Sequence, residues 1–466
     1  MKILLVDDED RSLRQTGGLI HSAAPGALIT ESRSRDEAIS ALSEDEFDLI
    51  ICDLRMPPHE DSADIREEHG HAVHALARQI CPGTPIIFLT AFSTNVNLRG
   101  QLSSGGVGRI FGLPAVPMVQ LVTKTEREEF KETVRELDSA LRSLHLNISL
   151  DCSSVLDEMF DRGARAYARE LGYEAVEVAG FSGLSGAKVG QLTMRDEDRS
   201  PVAVFMKVAP FEDARDEHDR FVNLVANRLQ PGAFAGSLPP MNTGLRKQTA
   251  LFSTLANSRH ISLFKVLEQR REQAVDVVGH LRESLQPFET KNPPIATTLG
   301  DLRREAISDA KLSEHLSSAD DFMANELQVV DVRRYLAHAD LHGENILVDD
   351  SGRPILIDFG DVGIRSACLD PLTLELSVLF HLDGPARNTA WHAQADWSAW
   401  ADLDSFANNS PFEDFIRACR EWALERDAPQ ALFATAYAHA LRQVKFPDVD
   451  NEIALAIAES ARRKLA

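Results

Sequence analysis

The stretch HADLHGENILV, residues 338–348, followed shortly by ILIDFGD, residues 355–361, decides how the larger part of this chain is read. Asp340 and Asn345 fall on one loop ahead of an apolar strand, and Asp358 ends the next strand of the same hairpin. Phosphoryl transfer needs a carboxylate to orient the attacking hydroxyl and accept its proton. It also needs oxygen ligands that place Mg²⁺ across the β- and γ-phosphates. HxDxxxxN followed by IDFG supplies those groups at workable spacing. His338, His342 and Phe359 read as structural rather than chemical.

Upstream, Glu174–Ala179 reads as a strand that enters the loop GFSGLSGAKV, residues 180–189, with a second strand running to Thr193. Gly183, Ser185 and Gly186 can fold over a triphosphate, because glycine lets backbone N–H groups approach oxygens without a Cβ in the way. Lys207 stands alone among apolar neighbours near the end of the strand Val202–Val208. A buried ammonium needs an anionic partner. Glu217, at the start of a helical stretch running to Leu229, is one candidate and Glu212 a substitute.

With these residues in place, Val155–Ala466 resembles the aminoglycoside phosphotransferases and their choline, fructosamine and homoserine kinase relatives, most specifically in the catalytic loop. The resemblance implies a bilobal protein-kinase-like α+β fold, with an N-lobe over 151–258 and a helical C-lobe over 259–466. It makes Asp340 the catalytic base and Asn345 and Asp358 the Mg²⁺ ligands. Lys207, Glu217 and the Gly183, Ser185 and Gly186 loop then position ATP, and Asp370 is a structural brace. Ala339 occupies the place where protein kinases controlled on their activation loop carry arginine, and no APE sequence follows IDFG. Control is therefore expected from elsewhere in the chain. The helical stretches Phe264–Leu336 and Thr389–Ala466 would build the acceptor side of the cleft, with Trp391, Trp397, Trp400 and Trp422 read as core.

The first third alternates short apolar runs (Ile3–Val6, Leu49–Cys52, Ile86–Thr90, Val119–Thr123) with helical patterns. Such runs are strands of a parallel sheet buried on both faces. Ser34 and Glu37 form a capping box opening a helix through Leu42. A doubly wound sheet collects ligands at the carboxyl ends of its strands. Asp7, Asp8, Asp53, Thr90 and Lys124 all fall there. Three converging carboxylates call for a hard cation such as Mg²⁺, and one of them can attack a phosphoryl group.

VDDE, IICDLRMP, FLTA and VTK in this order resemble a response-regulator receiver domain over 1–125. That resemblance implies a (βα)5 fold with Asp53 as phosphoacceptor, Asp7, Asp8 and Asp53 around Mg²⁺, and Thr90 and Lys124 as switch residues. It also implies a histidine kinase or phosphotransfer protein as partner. Thr125 replaces the proline usual after that lysine, and the long spacings place extra loops at Pro57–His71 and Asn95–Pro117, on or near the switch face. The segment 126–150 is read as the last receiver helix. Its Phe130, Val134, Leu137, Leu141 and Leu144 stripe alternatively carries movement, or a homodimer contact, beyond the sheet.

A length of 466 residues implies two or three domains. A net charge of −23 disfavours nucleic acid and anionic membranes as partners. Five scattered cysteines without CxxC pairing, no signal-peptide pattern and no long apolar run point to a cytoplasmic protein. The combined expectation is a response regulator whose receiver controls an ATP-dependent phosphotransferase acting on an unidentified hydroxyl acceptor. The alternative is a nucleotide-binding pseudokinase scaffold that engages a partner protein when phosphorylated.

Overall fold

A computed structural model describes residues 1–90, 106–182, 188–254, 260–324, 326–387 and 389–465. The chain forms two compact bodies, residues 1–216 with 237–255 and residues 217–236 with 256–466.

The first body opens with a five-stranded parallel sheet in the order Leu28–Ser32, Lys2–Val6, Leu49–Asp53, Ile86–Thr90, Val119–Thr123. Successive side chains of a strand face opposite ways, and the two faces bury separate sets. Ile3, Leu5, Ile51, Ile87 and Leu89 pack with Leu13 and Ile20 of the helix Asp10–Ala23. Leu4, Val6, Ile50, Cys52 and Phe88 pack with Ala38, Leu42, Val73 and Ala77 of the helices Arg35–Glu44 and Glu67–Ile80. The expected capping box is half realised: Ser34 Oγ accepts from Glu37 N at 3.3 Å, while the Glu37 carboxylate accepts from Arg33 N at 2.6 Å rather than from Ser34 N. The loop expected to reach His71 stops at Arg66, because Glu67 and Glu68 supply the acidic first turn that a helix N-terminus favours.

A second, six-stranded sheet follows in the same body, in the order Gly236–Met241, Gln248–Thr254, Val202–Pro210, Lys188–Arg195, Ala175–Ser182, Ser149–Cys152. The two sheets share one helix, Arg127–Asn147. Its first turns place Phe130 and Val134 in the core of the parallel sheet. Its later turns place Ala140 and Leu144 in the core of the second sheet, with Leu137 against both. Each large side chain buried this way contributes about 1.5–3 kcal/mol. The helix then runs directly into the edge strand Ser149–Cys152. The helix thus closes the first sheet, as the first reading expected, and its later turns extend beyond that sheet to build the next.

The described part of the second long loop corrects an expectation. Residues 106–118 form a short ribbon, Val107–Gly108 against Val116–Pro117, with a tight turn at Ile110–Gly112. They lead into the amino end of Val119–Thr123, so they sit at the rim opposite Asp53, Thr90 and Lys124. There they meet the helix Glu158–Leu171: Arg169 Nη1 donates to Phe111 O at 3.2 Å, and Thr243 Oγ1 donates to Arg109 O at 3.0 Å. Gly83 belongs to the same junction. Gly244 N donates to its carbonyl at 3.0 Å, and a Cβ on Gly83 would fall 1.9 Å from Asn242 O.

The centre of this junction is ionic. Asp48, fully buried ahead of its strand, accepts from Arg162 Nη1 at 2.6 Å, Arg246 Nε at 2.7 Å and Lys2 N at 2.7 Å. Glu158 joins the two arginines from outside, 2.8 Å from each. Burial opposes ionisation of Asp48, but the hydrogen bond from Arg246 and the charges of Arg162 and Arg246 outweigh it and bring the carboxyl down to about 2.

The second body is mostly helical. Its Trp391, Trp400 and Trp422 are buried core, as the sequence suggested, whereas Trp397 is only partly buried and packs against that core. Two buried ion pairs organise it: Arg303 with Glu326, which also accepts from Tyr437, and Arg420 with Glu375, which also accepts from Trp400. Its hairpin of Ile346–Asp349 with Pro354–Leu356 continues a three-stranded sheet through His260–Ser262.

Asp48→Ala is expected to cost roughly 3–5 kcal/mol, because two buried guanidiniums lose their shared counter-charge. The folded carboxyl titrates below the unfolded value of about 3.9. The stabilisation is therefore complete above that value and fades as pH falls through it towards 2. Urea midpoints of wild type and variant should differ at neutral pH and converge in acid. A gap that persists undiminished near pH 2 would contradict the ionic origin.

Candidate functional site

Two constellations of polar groups lie on these scaffolds, one in each body. In the first, the parallel strands deliver Asp7, Asp53, Thr90 and Lys124 to one rim. Lys124 Nζ lies 2.7 Å from Asp7 Oδ2 and 2.5 Å from Asp53 Oδ2. Lys124 N donates to Thr90 O at 2.8 Å, which fixes the lysine beside the buried threonine. Oxygen atoms of Asp7, Asp8 and Asp53 lie within 4.8 Å of one another. Burial lifts the Asp53 carboxyl above its ordinary value against the pull of Lys124, with the charge of Asp7 adding to the rise. Burial lifts Asp8 as well, again with Asp7 adding. One ammonium among three carboxylates leaves the rim short of positive charge, and the donors are all hard oxygens. The residues present therefore fit Mg²⁺.

In the second body the strand Arg334–Ala337 delivers the loop of the HADLHGENIL segment. His338 N and Ala339 N donate to the two oxygens of buried Asp370, each at 2.9 Å. Holding both N–H groups on one carboxylate fixes a backbone that carries Ala339 at φ +66°, a conformation unfavourable for a side chain. His338 is fully buried, its Nε2 3.0 Å from Ile357 O, and it packs on Phe359. Both keep the structural role expected of them. His342 does more than expected. Its Nε2 stands 3.5 Å from Asp340 Oδ2, and its ring lies against His381. Burial opposes ionisation of Asp340, but His342, together with Arg442 and His338, holds its carboxyl well below the usual carboxylate range.

Asn345 Nδ2 donates to Asp340 O at 2.9 Å, tying one expected metal ligand to the expected base. Asp358 occupies a left-handed backbone conformation, φ +59°. A Cβ added at Gly360 would lie 3.5 Å from Asp358 Oδ1 and 3.6 Å from Glu217 Oε2, so both carboxylates border Gly360. Glu217 is not at a helix start. It sits in the last turns of Phe211–Arg220, whose acidic first turn, Glu212 and Asp213, follows Pro210. Lys207 lies in the central strand Val202–Pro210 of the first body, opposite Val189 and Leu251. Gly183, Ser185 and Gly186 lie outside the described residues.

Sequence reasoning passed over Arg442 and Lys445. Both line a cleft of about 230 Å³ beside the Asp340 loop, and Arg442 Nη1 comes within 3.8 Å of Asp340 Oδ1. They lie about a hundred residues beyond the motif, on the helix Pro429–Gln443 and just after it. No local pattern distinguishes them there from the surface charges of any amphipathic helix.

Residues 3–111 match the response regulator receiver domain family, and residues 194–403 match the phosphotransferase enzyme family. Similar solved structures include a CheY-like response regulator receiver domain protein from Methanospirillum hungatei, 19% identical, covering 30% of this chain and 97% of that one, TM-score 0.23. An aminoglycoside-3'-phosphotransferase of type VIII is 19% identical, covering 57% and 100%, TM-score 0.34. A choline kinase from Streptococcus pneumoniae is 11% identical, covering 66% and 98%, TM-score 0.34. No curated protein matches the sequence. Among the described residues no helix is long and apolar enough to cross a membrane.

The crowded rim gives a test with opposite signs. In chelator, Asp8→Asn is expected to leave the first body as stable as wild type or more so, because repulsion is relieved. Mg²⁺ at about a hundred times its Kd should then stabilise wild type by roughly 2.7 kcal/mol and the variant by clearly less. Equal increments in thermal melts would remove Asp8 from the cation site.

Proposed function

We propose that this chain, in which residues 3–111 match the response regulator receiver domain family and residues 194–403 the phosphotransferase enzyme family, is a response regulator whose output is ATP-dependent transfer of a phosphoryl group to a hydroxyl acceptor. The observation that carries the reading is the loop on which Asp370 clamps the backbone, Asn345 holds Asp340, and Asp340 stays ionised beside His342.

In this mechanism Asp340 accepts a hydrogen bond from the acceptor hydroxyl and so aligns its oxygen with the γ-phosphorus of ATP. The new P–O bond forms, the bond to the β-phosphate oxygen breaks, and ADP leaves with the electron pair. The hydroxyl proton passes to the Asp340 carboxylate and on to solvent. A carboxylate held this acidic is a weak base, so it takes the proton late and serves mainly to orient. Asn345 and Asp358 would hold Mg²⁺, which when bound neutralises the β- and γ-phosphate oxygens. Lys207, with Glu217 and the Gly183, Ser185 and Gly186 loop, would position the nucleotide.

At the other site Asp53 receives a phosphoryl group from a histidine kinase or phosphotransfer protein. Lys124, bonded to both Asp7 and Asp53, must then turn to the phosphate, and the added charge of roughly −1.5 to −2 draws in Thr90. Two rigid paths support coupling to the nucleotide lobe. The strand Leu49–Asp53 has Asp53 at one end and the ion cluster of Asp48 at the other. The helix Arg127–Asn147 is shared by both cores. We retain 1–125, 126–150, 151–258 and 259–466 as the functional divisions.

Calorimetry with Mg-ATP separates the assigned roles. Asp358→Ala should abolish binding or turnover by leaving the triphosphate poorly neutralised, whereas Asp340→Asn should keep nucleotide affinity and lose transfer. Equal loss of affinity in the two variants would mean the roles are wrongly placed.

Coupling is tested with beryllofluoride as a stable phosphate mimic at Asp53 and Asp53→Ala as control. A coupling of about 1–3 kcal/mol predicts a change of roughly 5–150-fold in nucleotide or acceptor affinity. No change in affinity or turnover while the mimic occupies the receiver would reduce the two domains to tethered neighbours.

A further inference from the structure

The cleft beside Asp340 is lined by three cations, Arg365, Arg442 and Lys445, in a chain whose net charge is −23. Of its two lining carboxylates, Glu305 is taken by Arg334 at 2.6 Å, and Asp361 is largely exposed, 4.0 Å from Arg442 Nη2. The cations are under-used. Among the described residues Lys445 makes no ion pair; its ammonium stands 4.8 Å over the Phe446 ring. Among the described residues Arg365 donates only to the backbone carbonyl of Ile364. Arg442 has carboxylates at ion-pair distance but beyond hydrogen-bond reach. Half-buried Lys445 is pushed down by burial and by the charges of Arg442 and Lys311, the mark of a place where positive charge exceeds its compensation.

A second observation comes from His439 in the wall of the same cleft. Gln443 Nε2 lies 3.0 Å from His439 Nε2 and also donates to His439 O at 3.3 Å, which fixes the amide orientation. The ring accepts at Nε2, so its proton sits on Nδ1. That atom is buried and has no partner. Burial and the neighbouring Arg442 bring the ring down to about 3, so it is neutral near pH 7. A buried N–H without an acceptor is costly, and three cations lining one small space with His439 in its wall call for an oxyanion.

We propose that the acceptor is a small hydroxyl compound bearing a carboxylate or phosphate group, bound by Arg442, Lys445 and Arg365 with its hydroxyl at Asp340. The proposal rests on the phosphotransferase reading and names its substrate class. Arg442, spanning the cleft and Asp340, sets the distance between the anionic group and the reacting hydroxyl. A polycationic acceptor meets repulsion in this cleft, because like charges brought together at low dielectric disfavour binding strongly.

The test uses four compounds sharing one diol: glycerate, glycerol 3-phosphate, glycerol and 3-amino-1,2-propanediol. Each is titrated calorimetrically into the full chain with a non-hydrolysable ATP analogue and Mg²⁺, and assayed for ADP release with ATP. The two anions should bind and the other two should not, and the stronger anion distinguishes a carboxylate site from a phosphate site. Lys445→Gln and Arg442→Gln should each weaken anion binding about tenfold or more with nucleotide affinity unchanged, and Lys445→Arg should restore it. Binding of the amine as tight as that of the anions overturns the proposal. So does anion binding indifferent to both glutamine variants, or no anion binding at concentrations on the order of 10 mM, where even weak sites register. The two readings fail separately. Anion binding without nucleotide binding sinks the phosphotransferase reading alone, and nucleotide turnover without anion preference sinks the acceptor class alone.

Discussion

A carboxylate sealed from water obliges the structure to bring charge to it, and Asp48 shows how far that obligation reaches. Two arginines from separate elements, Arg162 on a helix and Arg246 in a loop, must arrive at one oxygen pair. Arg246 does so with φ +55°, a backbone conformation disfavoured for any residue with a side chain. The close approach at Gly83 and the docking of Phe111 follow from the same convergence. An ion pair of this kind adds less net stability than its Coulomb energy suggests, because desolvation offsets most of it. Its geometric demand is exacting: Arg162 and Arg246 must both reach Asp48 while Glu158 reaches both of them.

The carboxyl groups of Asp53 and Asp340 are set in opposite directions by their surroundings. Asp53, crowded by Asp7 and buried, is lifted; Asp340, beside His342 and Arg442, is lowered. A lifted carboxyl is the easier one to protonate, and a lowered one stays an anion, so the neighbours of one residue type decide its charge.

Much of this was legible in the sequence where chemistry is local. The four apolar runs became strands because a buried parallel strand needs both faces apolar, and Ser34 with Glu37 marked a helix start by a contact only three residues long. Asp340, Asn345 and Asp358 could be read from one hairpin. The strand Leu28–Ser32 escaped because, at the sheet edge, it is mostly exposed and carries Thr30, Glu31 and Ser32. Asp48, Arg162 and Arg246 are more than a hundred and eighty residues apart at their extremes and look like ordinary charges until the fold brings them together. Arg442 and Lys445 escaped for the same reason. The helix start misplaced at Glu217 came from weighing one candidate partner for Lys207 over the helix-forming run that begins at Phe211.

The helix held in common by two cores bears on the order in which the chain can be made. During synthesis Phe130 and Val134 complete the parallel sheet early, while Ala140, Leu144 and Ile148 stay uncovered until the strands as far as Phe252 have emerged. At about 5–20 residues per second that interval lasts roughly 5–20 seconds. Over the same interval Asp48 waits, hydrated, for arginines not yet translated. The nascent receiver thus leaves the ribosome with an apolar stripe and an open acidic rim, a half-built module that a chaperone could hold and a protease could cut.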